Sequence, residues 1–149
     1  YRRNCSGSLK PVLDAMVIAR EEGVWLEVTN LVIPTQNDDI ATVRRMAHWI
    51  RDNLGEQTPL HISRFTPHYQ MRNLPPTPVE SLHRVWNEAR DAGLKYVYIG
   101  NIYGHKSEST YCPNDNTRLI HRVGFSVEEY NLTSDGRCPV CNQKVSGVW

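Results

Sequence analysis

The chain has 149 residues and a mass of 17.2 kDa, room for one domain or one domain with a small appendage. Hydrophobic residues make up 40%, enough for a core, and no apolar run approaches the roughly 20 residues a spanning helix needs, so no membrane span is expected. The formal net charge of +1 excludes a strongly basic surface, and charge alone implies no nucleic-acid partner.

The chain opens at Tyr1, without Met, in what reads as the approach to a helix, and its polar, basic start has no signal-peptide pattern. Val12, Leu13, Met16, Ile18 and Ala19 recur near helical spacing over 9–22, and Gly23 stops that helix. A strand over 24–33 follows at once. Its apolar run is nearly continuous, the pattern of a parallel strand covered on both faces. Glu27 and Thr29 break the run on one side, which in a barrel would be the interior.

After Pro34, Asn37 or Asp38 is placed to cap a second helix, with Asp39 in its first turn. Ile40, Val43, Met46, Ala47 and Ile50 carry that helix to Leu54, and Gly55 ends it. The stretch 59–67 (PLHISRFTP) repeats the form of the first strand, an apolar run ending in proline and spilling into a polar loop. The loop beyond it holds Pro67, Pro75, Pro76 and Pro78, cannot be regular, and is long for a βα connection, as functional loops tend to be. Leu82, Val85, Trp86 and Ala89 mark a helix over 79–92 closed by Gly93, and a strand over 95–100 leads to Asn101 and His105.

The βαβαβ rhythm directs attention to the carboxyl ends of the strands, where parallel α/β folds bind ligands. His68 and Tyr69 sit just past the second strand, and Asn101 and His105 past the third. Arg64 on the second strand needs an anion or a carboxylate to meet its charge, and His61 reads as a hydrogen-bonded interior histidine. His48 and His83 lie within helices and read as surface or packing residues. No Ser-His-Asp arrangement, phosphate-binding loop or dinucleotide fingerprint is present.

Composition changes near residue 108. Short strand-like pieces over 118–123 and 125–130 join at Gly124, and three of the four cysteines, Cys112, Cys138 and Cys141, fall in this part; Cys5 stands alone near the start. We divide the chain into residues 1–107, the βα units, and 108–149, a module small enough to need a metal or a docking surface. Cys112-Pro-Asn-Asp115 and Cys138-Pro-Val-Cys141 have the form of the two knuckles of a zinc ribbon, with Asp115 where a second cysteine would stand. Three thiolates and a carboxylate are acceptable zinc ligands, with His105 and His121 as substitutes for the fourth; the competing reading is a degenerate ribbon that folds without metal. Clustered cysteines of this kind suit a reducing compartment, so a cytoplasmic protein is expected.

Taken in order, 24–38 (VWLEVTNLVIPTQND), 60–69 (LHISRFTPHY), 98–105 (YIGNIYGH) and 110–149, ending in Gly-Val-Trp, resemble the C-terminal part of the AmmeMemoRadiSam-system radical S-adenosylmethionine enzymes, relatives of pyruvate formate-lyase activating enzyme. The resemblance implies an α/β fold: the C-terminal part of a partial (β/α) barrel with parallel strands, followed by a small zinc-ribbon-like β module. It implies S-adenosylmethionine and a [4Fe-4S] cluster as cofactors. The cluster's C-x-x-x-C-x-x-C loop is absent from these residues and is expected on a missing N-terminal part. It further implies that Thr29 or Asn30 approaches the methionine end of the cofactor, that the backbone at Val32 and Ile33 meets adenine, and that His68 and Tyr69 complete the nucleoside pocket. Cys112, Asp115, Cys138 and Cys141 would form the ribbon site. The expected partners are the missing barrel half, or another chain covering the strand edge, and a protein substrate. A non-catalytic zinc-ribbon module that binds a protein or nucleic acid is the rival reading, and a small metalloenzyme with His105 at an open coordination position is a third.

Overall fold

The computed structural model describes residues 1–149, apart from the side chain of Arg3. Helices α1 (Arg2–Cys5) and α2 (Leu9–Glu21) precede β1 (Val28–Val32), α3 (Ile40–Asn53), β2 (Leu60–Arg64), α4 (Val79–Asp91) and β3 (Val97–Gly100). A second group holds β4 (Thr110–Tyr111), β5 (Arg118–Val123) and β6 (Ser126–Tyr130). The first three strands form a parallel sheet in the order β1-β2-β3, and the last three an antiparallel sheet in the order β4-β5-β6. Among the described residues no strand closes the parallel sheet into a barrel.

Strand order explains where the helices go. When each crossover steps to the next neighbour in the same direction, right-handed connections place successive helices on one face. α3 and α4 accordingly pack together and on one side of the sheet, presenting Val43, Ala47 and Ile50 and Leu82, Val85 and Ala89 at helical spacing. They meet Val32, Leu60, Ile62, Val97 and Ile99, all buried. A fully buried Ile or Leu contributes about 1.5–3 kcal/mol, so this layer carries most of the stability of the βα units.

Two-sided cover of the first strand, expected from its continuous apolar run, is not found. Burial along β1 alternates, Leu31 is 42% exposed, and residues 24–27 stand outside the strand. Both crossover helices lie on the other face, and among the described residues no element covers the Thr29–Leu31 side.

The cap of α3 also differs from expectation. Asp39 takes the position and accepts from the Thr42 N–H at 2.9 Å. Asn37 instead closes the preceding loop, accepting from Ile33 N–H (2.7 Å) and donating to the Leu31 carbonyl (2.9 Å), and Asp38 accepts from Thr35 N–H. These nearer backbone groups draw off the two side chains that sequence alone offered as caps. Gly55 and Gly93 follow α3 and α4 at φ 104° and 102°, the backbone region that ends helices and favours glycine.

The long proline-bearing loop after β2 folds back into the sheet. Thr77 is fully buried; its hydroxyl donates to the Val32 carbonyl (2.5 Å) and accepts from Phe65 N–H (3.0 Å), so one side chain ties the end of β1 to the end of β2. Arg64 donates to the Thr77 carbonyl at 2.9 Å. The strand arginine thus meets a backbone acceptor in this loop.

The two sheets meet at Tyr96. This residue precedes β3, yet its ring is buried with Cys112, Leu119, Ile120, Cys138 and Val145, the core of the second group. Its hydroxyl accepts from Ser146 N–H at 3.2 Å. No helix is long and apolar enough to cross a membrane among the described residues.

Candidate metal centre and open sheet face

The segments 112–116 and 138–142 are built alike. Cys112 N–H donates to Thr117 O (2.8 Å) and Cys138 N–H to Gln143 O (2.9 Å); Asn116 N–H returns to Cys112 O (3.0 Å) and Asn142 N–H to Cys138 O (2.9 Å). Asn116 and Asn142 share a φ of 61°. Asparagine tolerates this left-handed conformation better than most residues. The shared pattern is Cys-Pro-x-ligand-Asn, and Asp115 stands in one turn where Cys141 stands in the other. The paired asparagines were the sequence signal for this equivalence, and reading the knuckles by cysteine alone passes over it.

One ligand atom from each of Cys112, Asp115, Cys138 and Cys141 lies within 4.8 Å of the others. Cys112 Sγ and Cys141 Sγ are 3.5 Å apart, and Cys138 Sγ is 3.6 Å from Asp115 Oδ2. Zinc–sulfur bonds of about 2.3 Å give tetrahedral edges of roughly 3.7 Å, so spacing and donor chemistry both fit a zinc ion. All four cysteines are free thiols.

The electrostatics point the same way. Burial, followed by the facing groups, pushes the Cys112 thiol up to about 12. Burial also acts to raise Cys138, but the N–H groups of Cys141 and Val140 outweigh it and the thiol lies below its ordinary value. The Thr117 N–H, and then the Cys112 and Cys141 thiols, hold the Asp115 carboxyl far below the usual carboxylate range. A divalent cation removes the unfavourable state by deprotonating the high thiol. His105 and His121, the alternative ligands, stand outside this group: His105 pairs with His83, and His121 lies on β5 opposite Glu129.

The uncovered face of the parallel sheet carries a second constellation. Thr29, His61 and Tyr98 are in register across the three strands, and Leu31, Ser63 and Gly100 form the next row. Glu27 Oε2 is 2.6 Å from His61 Nε2, and Trp25 donates to Glu27 at 2.9 Å. His61 stacks on Tyr98 with ring centroids 5.1 Å apart. Tyr98 Oη is 3.0 Å from Thr110 Oγ1, to which Arg122 donates at 2.7 Å. Burial, offset in part by Thr110, raises the Tyr98 phenol; burial opposes ionisation of Glu27, yet hydrogen bonds from Trp25 and His61 leave its carboxyl below the ordinary value. Trp25, Glu27, His61 and Tyr98 line a cleft of about 990 Å³ between the sheet and the β5–β6 hairpin. His61 was legible only as an interior histidine, and the pairing with Glu27 needed the register to find.

The residues implied by resemblance divide. Thr29 is exposed on the open face, and His68 and Tyr69 are exposed on the loop past β2. Asn30 points to the helix side, with Nδ2 2.9 Å from Met46 Sδ. Val32 is buried, its carbonyl taken by Thr77, and the Ile33 N–H is taken by Asn37. Past β3, Asn101 donates to the Arg64 carbonyl at 3.1 Å.

No family model matches the chain. It is similar to the uncharacterized protein MJ0808 of Methanocaldococcus jannaschii, with 46% identity over 149 residues, 99% of this chain and 45% of that protein. The chain therefore spans less than half the length of the relative it matches.

Proposed function

We propose that this chain is the C-terminal portion of a radical S-adenosylmethionine enzyme of the activating-enzyme type. In this reading a further segment supplies the [4Fe-4S] cluster, and the open sheet face forms part of the wall of the reaction cleft. The observation that carries the reading is the singly wound sheet: consecutive strand order, both helices on one face, and a polar row on the other. A barrel wall is built in this way, with the helix-free face as its interior, and this supports the reading. The 46% identity to a protein more than twice as long agrees with a chain that works as part of something larger.

Cluster and S-adenosylmethionine together supply hydrogen-atom abstraction. The chain's own contribution is then to enclose and orient. Thr29 lies exposed on the helix-free face, while His68 and Tyr69 are exposed on the loop past β2, where they would border a nucleoside. Asn30, Val32 and Ile33 act from behind, since their side chains or backbone groups are held by Met46, Thr77 and Asn37. The ribbon holds zinc through Cys112, Asp115, Cys138 and Cys141 and serves as a structural closure next to the cleft.

The test is reductive cleavage of S-adenosylmethionine by this chain joined to its cluster-binding segment, reconstituted anaerobically with iron and sulfide. The expected result is release of 5′-deoxyadenosine, lowered by substitution of Tyr69 or His68. A preparation with a full cluster by absorbance and iron content that releases none overturns the reading.

A further inference from the structure

Sequence alone placed His105 among strand-end residues and His83 among packing residues of a helix. The structure joins them: His83 Nε2 and His105 Nε2 are 2.9 Å apart, with ring centroids 5.1 Å apart. The contact is nearly head-on, as in a hydrogen bond between two rings. His105 Nδ1 accepts from Ser107 N–H at 3.2 Å, so the His105 proton resides on Nε2 and is directed at His83.

The pair opens into a cavity of about 350 Å³ between α4 and the start of the ribbon, at the small end of the range for ligand sites. Its other polar lining comes from Lys106, Asn87, Tyr111 and Asn116, together with two serines. No carboxylate lines it, and Lys106 forms no ion pair among the described residues. Glu108, the acidic group near His105, is turned away and accepts from the N–H groups of Gly104 and Gly124. Trp86, Val97 and Ile99 form its apolar part, and the donors on several sides, the cation at its edge and the lack of an acid in its wall favour an anion at the polar end.

We propose that this cavity binds a tetrahedral oxyanion, phosphate or sulfate, free or as the terminal group of a small ester, with Lys106, His83 and His105 as its charged contacts. The site adjoins the metal centre through Tyr111 and Asn116 but includes none of its four ligands, and it does not depend on the radical-enzyme reading. Without a ligand the two rings share one proton. Burial, the neighbouring His83 and Lys106 hold His105 below its ordinary value of 6.5. A dianion favours a second charge on the pair: one ring takes a proton from solution and becomes imidazolium, both Nε2 atoms then carry N–H groups that can donate to its oxygens, and binding takes up that proton. Affinity therefore rises as pH falls. The groups that act on this balance are Lys106, which opposes the second charge, and Glu108, which favours it; the Tyr111 phenol also lines the cavity.

The experiment is an NMR titration of the imidazole resonances of the 149-residue chain with sodium sulfate, against sodium chloride at matched ionic strength, at pH 6 and pH 8. Sulfate keeps its charge over this range, so any pH dependence belongs to the protein. Saturable shifts of both His83 and His105 are expected with sulfate alone, with affinity up to about a hundredfold weaker at pH 8, since uptake of one proton weakens it about tenfold per pH unit. Lys106→Gln, at an exposed position, and His83→Gln should each weaken binding about tenfold, the scale of one charge-assisted hydrogen bond. A parallel titration with inorganic phosphate and glycerol phosphate assigns the source: tighter binding of the ester marks the terminal group of a small molecule, and equal binding a free anion. Equal ring shifts in sulfate and chloride, or sulfate binding unaffected by both substitutions, overturn the proposal.

Discussion

Thr77 has no apolar bulk to contribute, yet it is fully buried where two strands end. Its hydroxyl satisfies the Val32 carbonyl and the Phe65 N–H together. Thr77→Val keeps the shape and removes both partners, leaving a buried donor and a buried acceptor unpaired. That substitution should cost about 1–3 kcal/mol, read as a lower urea midpoint with unchanged slope, while Thr77→Ser should lose much less. Gly136 is constrained in another way. Its φ is 73°, and a Cβ there would stand 2.0 Å from Cδ1 of the Trp149 indole. Gly136→Ala should expel the ring, which donates to the Val145 carbonyl at 2.9 Å and meets Tyr130 edge-on at 6.4 Å. A red-shifted Trp149 emission, measured against a Trp149→Phe control, together with a lower melting temperature, is the expected outcome.

At the level of elements, the knuckle pair yields the sharpest expectation. Asp115 and Cys141 hold equivalent places in two turns of one geometry, so Asp115→Cys should complete a four-thiolate site and retain zinc at one ion per chain. Asp115→Ala should weaken zinc by at least the roughly tenfold that loss of an outer-layer partner costs, measured by chelator competition. Chelation should then loosen the cluster around Cys112, Leu119, Cys138 and Val145 and expose Tyr96, which is buried in it just before β3. The helices α3 and α4 were legible nearly to the residue, because Val43, Ala47 and Ile50 or Leu82, Val85 and Ala89 repeat at helical spacing and glycine ends each helix. The hairpin β5–β6 was legible from Gly124 and its flanking strands. Other parts were not. The cap passed to Asp39 because Asn37 and Asp38 found nearer backbone partners, and one-sided burial of β1 depends on where its crossover helices run, which an apolar run does not encode. The pairs Glu27–His61 and His83–His105 join residues 34 and 22 apart in sequence, and register and packing alone bring them together.

Over the whole molecule, carboxylates held by hydrogen bonds or ion pairs recur in both parts of the chain. Glu27, Asp39, Asp52, Glu88, Asp115 and Asp135 all lie below their ordinary values, 4.5 for glutamate and 3.8 for aspartate. A carboxyl lowered by folding binds its proton less readily in the folded chain than in the unfolded one. Its contribution is therefore fully present above the ordinary value and is lost as pH falls through the lowered one. Stability of the chain should decline steadily below pH 4.5, after a smaller loss that begins below 6.5, where His105, held below its ordinary value, resists protonation in the folded chain. Most of these groups are exposed and screened, and the Glu27–His61 pair, 46% and 36% exposed, is worth about 1 kcal/mol at most. The decline should therefore be gradual, and 0.5 M salt should flatten the part due to exposed ion pairs such as Arg51–Asp52 while leaving the part due to the backbone-held Asp115. Zinc adds a second, steeper component, because acid competes with the metal for the thiolates and for Asp115. Urea midpoints measured from pH 3 to 7, with and without zinc, separate the two: the metal-free chain should show the shallow decline alone, and the loaded chain should lose its extra stability where zinc is released. Superimposable profiles for the two forms would mean that the four ligands hold no ion that matters to the fold.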